Sequence, residues 1–249
     1  MGKIIAVTNQ KGGVGKTSTA VSLCAGFKRK EFHSLLVDID SQGNASASAG
    51  LIIENEEKTI KDFFIDGRSI ADYIIHTEDI DIIPSNNSLK DIEGSLHEND
   101  GFEFFKTSIR QLATVYDFII LDCPPSINIF TKHALVAAHD YIIPVDIGYF
   151  SILGLKQLLE EIEHIKNSYN NNLNLMGVLA CKFDRRTSLS NQVYEILKNN
   201  FPDKLFNTVI RANIDMVRSQ IAQQNIFKYN SRSPAAQDFF SLIEEIINS

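Results

Sequence analysis

Two lysines five residues apart, with three glycines between them, are the first residues of this 249-residue chain whose types and spacing imply chemistry. They stand in Lys11-Gly12-Gly13-Val14-Gly15-Lys16-Thr17-Ser18. Glycines at 12, 13 and 15 let a backbone come close to an anion and adopt conformations closed to larger residues. The N–H groups of such a loop, together with the N-terminus of the helix that follows, hold a phosphate. Lys16 has the reach for the β and γ oxygens of a triphosphate, and the Thr17 hydroxyl is a ligand for Mg2+. Val14 and Ser18 complete the binding stretch 12–18. The loop leaves an apolar run, Lys3–Thr8, and opens a helical pattern. That context separates it from an ordinary glycine-rich turn.

Three carboxylates are placed to meet such a phosphate. Asp38 and Asp40 close the apolar run that begins at Ser34, and a period of two points both to the same side. Asp122 ends Phe118-Ile119-Ile120-Leu121-Asp122, before Cys123-Pro124-Pro125. An aspartate after four apolar residues at a strand end holds Mg2+ through water. The carboxyl ends of parallel strands are where ligands bind.

The elements that must position these residues follow from the alternation of short apolar runs with helical patterns. Strands are expected at Lys3–Thr8, Ser34–Ile39, Ile80–Pro84, Asp117–Cys123, Tyr141–Val145, Leu173–Cys181 and Leu205–Ile210. Helices are expected over Thr17–Lys30 and near 87–98, 102–114, 127–138, 151–168, 188–199 and 234–247. Such alternation implies an α/β fold: a mostly parallel twisted sheet covered by helices on both faces. The most loop-like stretch, Asn167–Asn174, is too short for a domain linker, so residues 1–249 are expected to form a single domain.

Composition narrows the function classes. The net charge of −7 excludes a protein that adheres to polyanions through bulk positive charge. Yet residues 176–249 carry 9 Lys/Arg against 7 Asp/Glu, whereas residues 1–175 carry 15 against 24. The three cysteines, Cys24, Cys123 and Cys181, have no metal-ligand spacing, and with Met1-Gly2-Lys3 running directly into the first strand no secretory segment is expected. Buried thiols in a reducing cytoplasm are expected. No apolar run approaches the ~18–20 residues that span a bilayer.

Lys11, in place of the usual first glycine of the loop, makes the pattern specific. The chain resembles the deviant Walker A family of P-loop NTPases, K-G-G-x-G-K-S/T, which includes ParA, Soj and MinD. Asp38-Ile39-Asp40-Ser41-Gln42-Gly43-Asn44 is similar to that family's D-x-D-P-Q-G-N, with Ser41 in place of proline. The similarity continues through Ala134–Leu159, Gly177–Thr187, Val209–Asn213 and residues 226–236, nearly the whole chain. It implies an Mg2+-dependent ATPase with Lys11, Lys16 and Asp40 as catalytic residues. Lys11 would cross a dimer interface to the partner's nucleotide, and Asp40 would position the attacking water. Asp38 would join Thr17 and Asp122 around the metal, and Lys182 and Asn213 would line the adenine site.

The resemblance also implies a role. Its ParA and Soj branch predicts an ATP-dependent homodimer that binds DNA without reading sequence, associates with the nucleoid and meets a ParB-like partner in chromosome or plasmid partition. Arg186 matches a DNA-contacting arginine of that branch. At a second such position the chain has Asp215, and Arg218 lies one helical turn beyond it. The alternative is a MinD-like positioning ATPase bound to membrane. The last helical pattern carries Glu244 and Glu245 and no lysine or arginine, a poor match to anionic lipid, so no stable membrane association is expected.

Overall fold

Runs rich in isoleucine, leucine and valine form the strands, as branched side chains fit a sheet buried on both faces. The computed structural model describes residues 1–51, 58–96, 100–147 and 149–248. In chain order the strands are β1 Lys3–Val7, β2 Ser34–Asp38, β3 Ile75–His76, β4 Asp81–Ile83, β5 Phe118–Asp122, β6 Asp140–Asp146, β7 Asn174–Phe183 and β8 Ile210–Arg211. They make one sheet in the order β3-β4-β2-β5-β1-β6-β7-β8. Among the described residues β3 and β4 pair antiparallel, and the other pairs are parallel.

The α-helices are α1 Lys16–Arg29, α2 Asn44–Ser48, α3 Ile60–Asp66, α4 Asp100–Leu112, α5 Ile129–Ala137, α6 Tyr149–Tyr169, α7 Ser188–Asn200, α8 Ile214–Ile221, α9 Ile226–Asn230 and α10 Pro234–Ile247. They cover the sheet in two layers. Ile5, Val7, Leu36, Ile120 and Ile142 meet α1, α9 and α10 on one face. Ile4, Ala6, Val37, Leu121 and Ile143 meet α3 to α7 on the other. Alternate residues of each strand therefore serve opposite cores. α10 is set by Ser233, whose hydroxyl accepts from the Ala236 N–H at 3.1 Å, and by Pro234 in its first turn. It closes on α1 at Gly26, where a Cβ would stand 2.1 Å from Ile243 Cδ1.

Some elements differ from the sequence expectation. The strand expected at Leu205–Ile210 is broken. Leu205 makes a single bridge to Val178, and regular pairing resumes only at Ile210. Between them Asn207 N and Thr208 N donate to the Glu245 carboxylate of α10 at 2.7 and 3.0 Å, and a side chain takes the sheet's place as acceptor. The helix expected near 87–98 is a 3-10 helix, Asn87–Ser95, and residues 97–98 lie outside the described ones. Short β3, α2, α3 and α9 were not anticipated.

Candidate functional site

The glycine-rich loop leaves the sheet where β1 stands between β5 and β6. Val7 is in register with Asp122, and Asp122 with Asp38. The root of the loop and two aspartates are thus level at the carboxyl edge of three neighbouring strands, the place an open parallel sheet offers to a ligand. Gly13 (φ +72°) and Gly15 (φ +104°) take left-handed conformations that an L side chain resists. Among the described residues nothing lies within 4 Å of the Cβ position at Gly12 or Gly13, so the loop is open on that side to them. Val14 is buried beneath it. α1 has no acid in its first turn and no side chain capping its N-terminus, which leaves its first N–H groups to an anion.

Beneath the loop, charge is buried. Lys16 is 6% exposed, and its Nζ donates to the Lys11 carbonyl at 3.1 Å. Burial lowers its pKa, while Asp122 and Asp40 pull the other way. Asp122 is fully buried, and among the described residues neither carboxylate oxygen has a hydrogen-bond partner. Burial, and then the negative charge of Asp38, hold its carboxyl well above the usual range; the nearby Thr17 hydroxyl offsets this only in part. Asp38 is equally buried but is engaged. One oxygen accepts from Asp40 N at 3.1 Å; the other accepts from Ser46 N and Ser46 Oγ at 2.9 and 2.7 Å. Its carboxyl is pushed up to about 6, mainly by burial, with the Ser46 bonds opposing.

These contacts give Asp38 a structural task beside the one expected of it at the metal. Its carboxylate fastens the turn that carries Asp40, and Ser46 Oγ extends the link by accepting from Ser85 N at 2.9 Å. Asp40 in turn accepts from Gln42 N at 3.0 Å. Among the described residues no group of three or more His, Cys, Asp or Glu can hold a metal alone. Asp122 and Thr17 fit a hard cation that draws its remaining ligands from phosphate and water, as Mg2+ does.

At the rim, Lys11 and Lys182 both approach Asp146, each Nζ 3.9 Å from the same oxygen. Asn213 spends its side-chain oxygen on the N-terminus of α8, accepting from Asp215 N at 2.7 Å. Gln220 of α8 donates to Ser18 Oγ at 2.9 Å, which brings that helix against the start of α1. Arg186 and Arg218 lie beyond the carboxyl ends of the neighbouring strands β7 and β8, both exposed and both paired. Arg186 makes a two-point contact with Asp184 at 2.9 and 2.8 Å, and Arg218 lies 3.7 Å from Asp215. Arg211 braces α10 through a two-point pair with Asp238.

Ser46, Gln220 and Asp146 were missed from the sequence. Nothing local marks Ser46 or Gln220. Asp146 closes an apolar run as Asp122 does, and that signal was available.

Sheet, loop and buried aspartates define a P-loop nucleotide-binding protein of the deviant Walker A type. A family model described as an AAA domain matches residues 2–175. The sporulation initiation inhibitor protein Soj of Bacillus subtilis is 38% identical over 249 residues, covering 99% of this chain and 98% of Soj. The chromosome partitioning protein ParA of Myxococcus xanthus is 34% identical, covering 99% of this chain and 88% of that protein. The chain belongs to the ParA/Soj family of partitioning ATPases. Among solved structures, cobyrinic acid a,c-diamide synthase from Mycobacterium smegmatis with bound ADP and magnesium is 25% identical, with a TM-score of 0.87 over 100% of this chain and 95% of that one. A putative plasmid partition protein from Borrelia burgdorferi bound to AMPPNP shares the fold at a TM-score of 0.83 and 24% identity, over 100% and 99% of the two chains.

Proposed function

We propose that residues 1–249 act as one unit, an ATP-switched partitioning ATPase that dimerises with ATP, binds DNA without reading sequence and hydrolyses ATP when a ParB-like partner engages it. The observation that carries this reading is the fully buried, unpartnered Asp122 carboxylate under an open glycine loop. A buried charge left unpaired is costly, and a bound cation with its phosphates would complete it.

In this reading the N–H groups of residues 12–18 cradle the phosphates, and Lys16 neutralises their β and γ oxygens. Mg2+, held by Thr17 and through water by Asp122, supplies further neutralisation of that charge. Asp38 keeps Asp40 in place and would support the Mg2+ shell, and Asp40 orients the attacking water. Lys11 reaches the nucleotide of a partner subunit. Lys182 and Asn213 stand at the adenine side, Lys182 offering its aliphatic stem. Arg186 and Arg218 of two subunits together form a surface for DNA phosphates.

A membrane-bound, MinD-like role gains no support from α10. Phe239, Leu242, Ile243 and Ile246 are buried against α1 and α9, so its apolar face is committed to the core. No helix among the described residues is long and apolar enough to cross a membrane.

Sizing chromatography with ATP tests the switch. Asp40→Ala is expected to bind ATP and remain dimeric, with hydrolysis slowed by at least about 100-fold, because the water loses its positioning carboxylate while the phosphate cradle stays intact. Lys11→Ala is expected to bind ATP and stay monomeric. An Asp40→Ala protein that is monomeric with ATP bound would sink this reading.

A further inference from the structure

Asp146 is shared by two lysines of the nucleotide rim. Lys11 comes from the phosphate loop and Lys182 from the end of β7, and their ammonium groups each lie 3.9 Å from Asp146 Oδ2. Neither approach is casual. The backbone at Lys11 is tied to β6, the strand that carries Asp146: Asn9 Nδ2 donates to Pro144 O at 2.7 Å, and Lys11 N donates to Asn9 Oδ1 at 3.0 Å. Gln10, between them, donates to Glu161 of α6 at 2.6 Å. Lys182 is placed by a bulge. The register of β7 with β8 shifts between Cys181 and Phe183, and Lys182 has φ +54°, a left-handed conformation rare for a side chain of its size. Bulges and strained backbones of this kind re-aim side chains beside functional sites. Here the side chain so aimed reaches Asp146, which is itself in register with Cys181.

We infer that Asp146 is a positioning residue that latches Lys11 to its own subunit, with Lys182 competing for the same carboxylate. The inference rests on the reading above that Lys11 acts on the partner's nucleotide. Lys11 must leave Asp146 to cross an interface. Lys182 remains to pair the carboxylate, so release strands no charge. One acid shared between two bases therefore lets Lys11 go at less cost than a simple pair would. All three side chains are partly exposed, so the latch is weak, salt-sensitive and adjustable by single substitutions.

The two partners then have opposite effects. Asp146→Asn removes the latch, and Lys182→Met removes the competitor and tightens it. A merely structural role for the cluster would weaken dimerisation in both variants. The latch is read directly on the nucleotide-free protein, by brief acylation with a small active ester and peptide mass spectrometry of Lys11. Asp146→Asn is expected to raise the Lys11 labelling rate about two- to fivefold, the range an exposed ion pair supports. Lys182→Met lowers the rate, Asp146→Glu restores it, and 0.5 M salt erases the difference between parent and Asp146→Asn. At saturating ATP, where altered charge beside the nucleotide no longer changes occupancy, Asp146→Asn should dimerise at lower protein concentration than the parent and Lys182→Met at higher. Unchanged Lys11 labelling in Asp146→Asn, or shifts of the same sign in both variants, overturns the latch. If the parent does not dimerise with ATP, the dimer reading falls, and the labelling rates still decide whether Asp146 holds Lys11.

Discussion

At the carboxyl edge of β1, β2 and β5, charges are buried and left open to a ligand; beyond β7 and β8, charges are exposed and already paired. Among the described residues, the fully buried Asp122 carboxylate has no hydrogen-bond partner, and the Lys16 ammonium group donates to its own loop. Arg186 and Arg218 stand in solvent beside Asp184 and Asp215. The difference is one of cost. A buried unpaired carboxylate costs the folded chain several kcal/mol, and its presence demands an explanation. An exposed arginine paired to a neighbour costs almost nothing, and its function depends on what displaces the neighbour. The first region declares a ligand from its own geometry, whereas the second gains meaning only from a partner.

The largest effect expected at the buried edge is on nucleotide binding. Lys16→Ala should weaken ATP binding by about 10- to 100-fold or more, since it removes a charge-assisted contact made by a buried ammonium group. Titration calorimetry decides this. Near-parental affinity would mean that the buried edge is not a phosphate site, and the contrast between the two regions would fail.

Asp122→Asn sharpens the same contrast through pH. The Asp122 carboxyl is raised well above its ordinary value in the folded chain, and Asp38 is raised to about 6, both mainly by burial. A raised carboxyl supplies its full stability below the unfolded value of ~3.9 and loses it as pH rises through the folded value. Without nucleotide, Asp122→Asn should therefore melt close to the parent near pH 4 and above it at pH 7, by about 2–8 °C. Mg2+ with ATP should raise the melting temperature of the parent and do little for the variant. A variant less stable than the parent at pH 7 would show that the carboxylate is not strained.

At the exposed rim, Arg186→Glu should weaken binding to all DNA sequences alike and reduce the log–log salt slope by about 1 per subunit, with ATP affinity unchanged. Fluorescence anisotropy across a salt series reads both. Unaltered binding would remove Arg186 from the DNA surface.

The two regions also differed in how much of them the sequence disclosed. The loop, α1 and the strand-end aspartates were legible because each depends on neighbours in the chain: an apolar run, glycines and a helix start for the loop, four apolar residues for Asp122. α10 was legible from its helical spacing of apolar residues. Ser46 was not, because its partner Asp38 lies eight residues away across a turn that only the fold closes. The interruption before β8 was hidden for a similar reason, as the acceptor that replaces the sheet is Glu245 on another element. At the rim, the arginines were visible in the sequence, but their pairing with Asp184 and Asp215 is set by the turn and the helix start that hold them. The bulge that aims Lys182 left no local mark either, since neither Cys181 nor Phe183 is a residue that favours one.

Asp215 gives the smallest and most discriminating test. It sits in the first turn of α8, where an acid suits the helix dipole, accepts from Asn230 Nδ2 at 3.0 Å and lies 3.7 Å from Arg218. Asp215→Arg removes that acid, adds a base and releases Arg218, so it should strengthen DNA binding and steepen the salt slope by about 1 to 2 per subunit. The same change gives up the dipole contact and the Asn230 bond, at a stability cost of about 0.5–2 kcal/mol, and the melting temperature should fall as affinity rises. Asp215→Asn separates the two consequences. It keeps an acceptor for Asn230 while removing the charge that holds Arg218, so it should retain most of the stability and show a smaller gain in affinity. If Arg186→Glu weakens DNA binding but neither change at Asp215 strengthens it, the DNA surface stops at the end of β7 and α8 serves the nucleotide side alone, through Gln220 and Ser18.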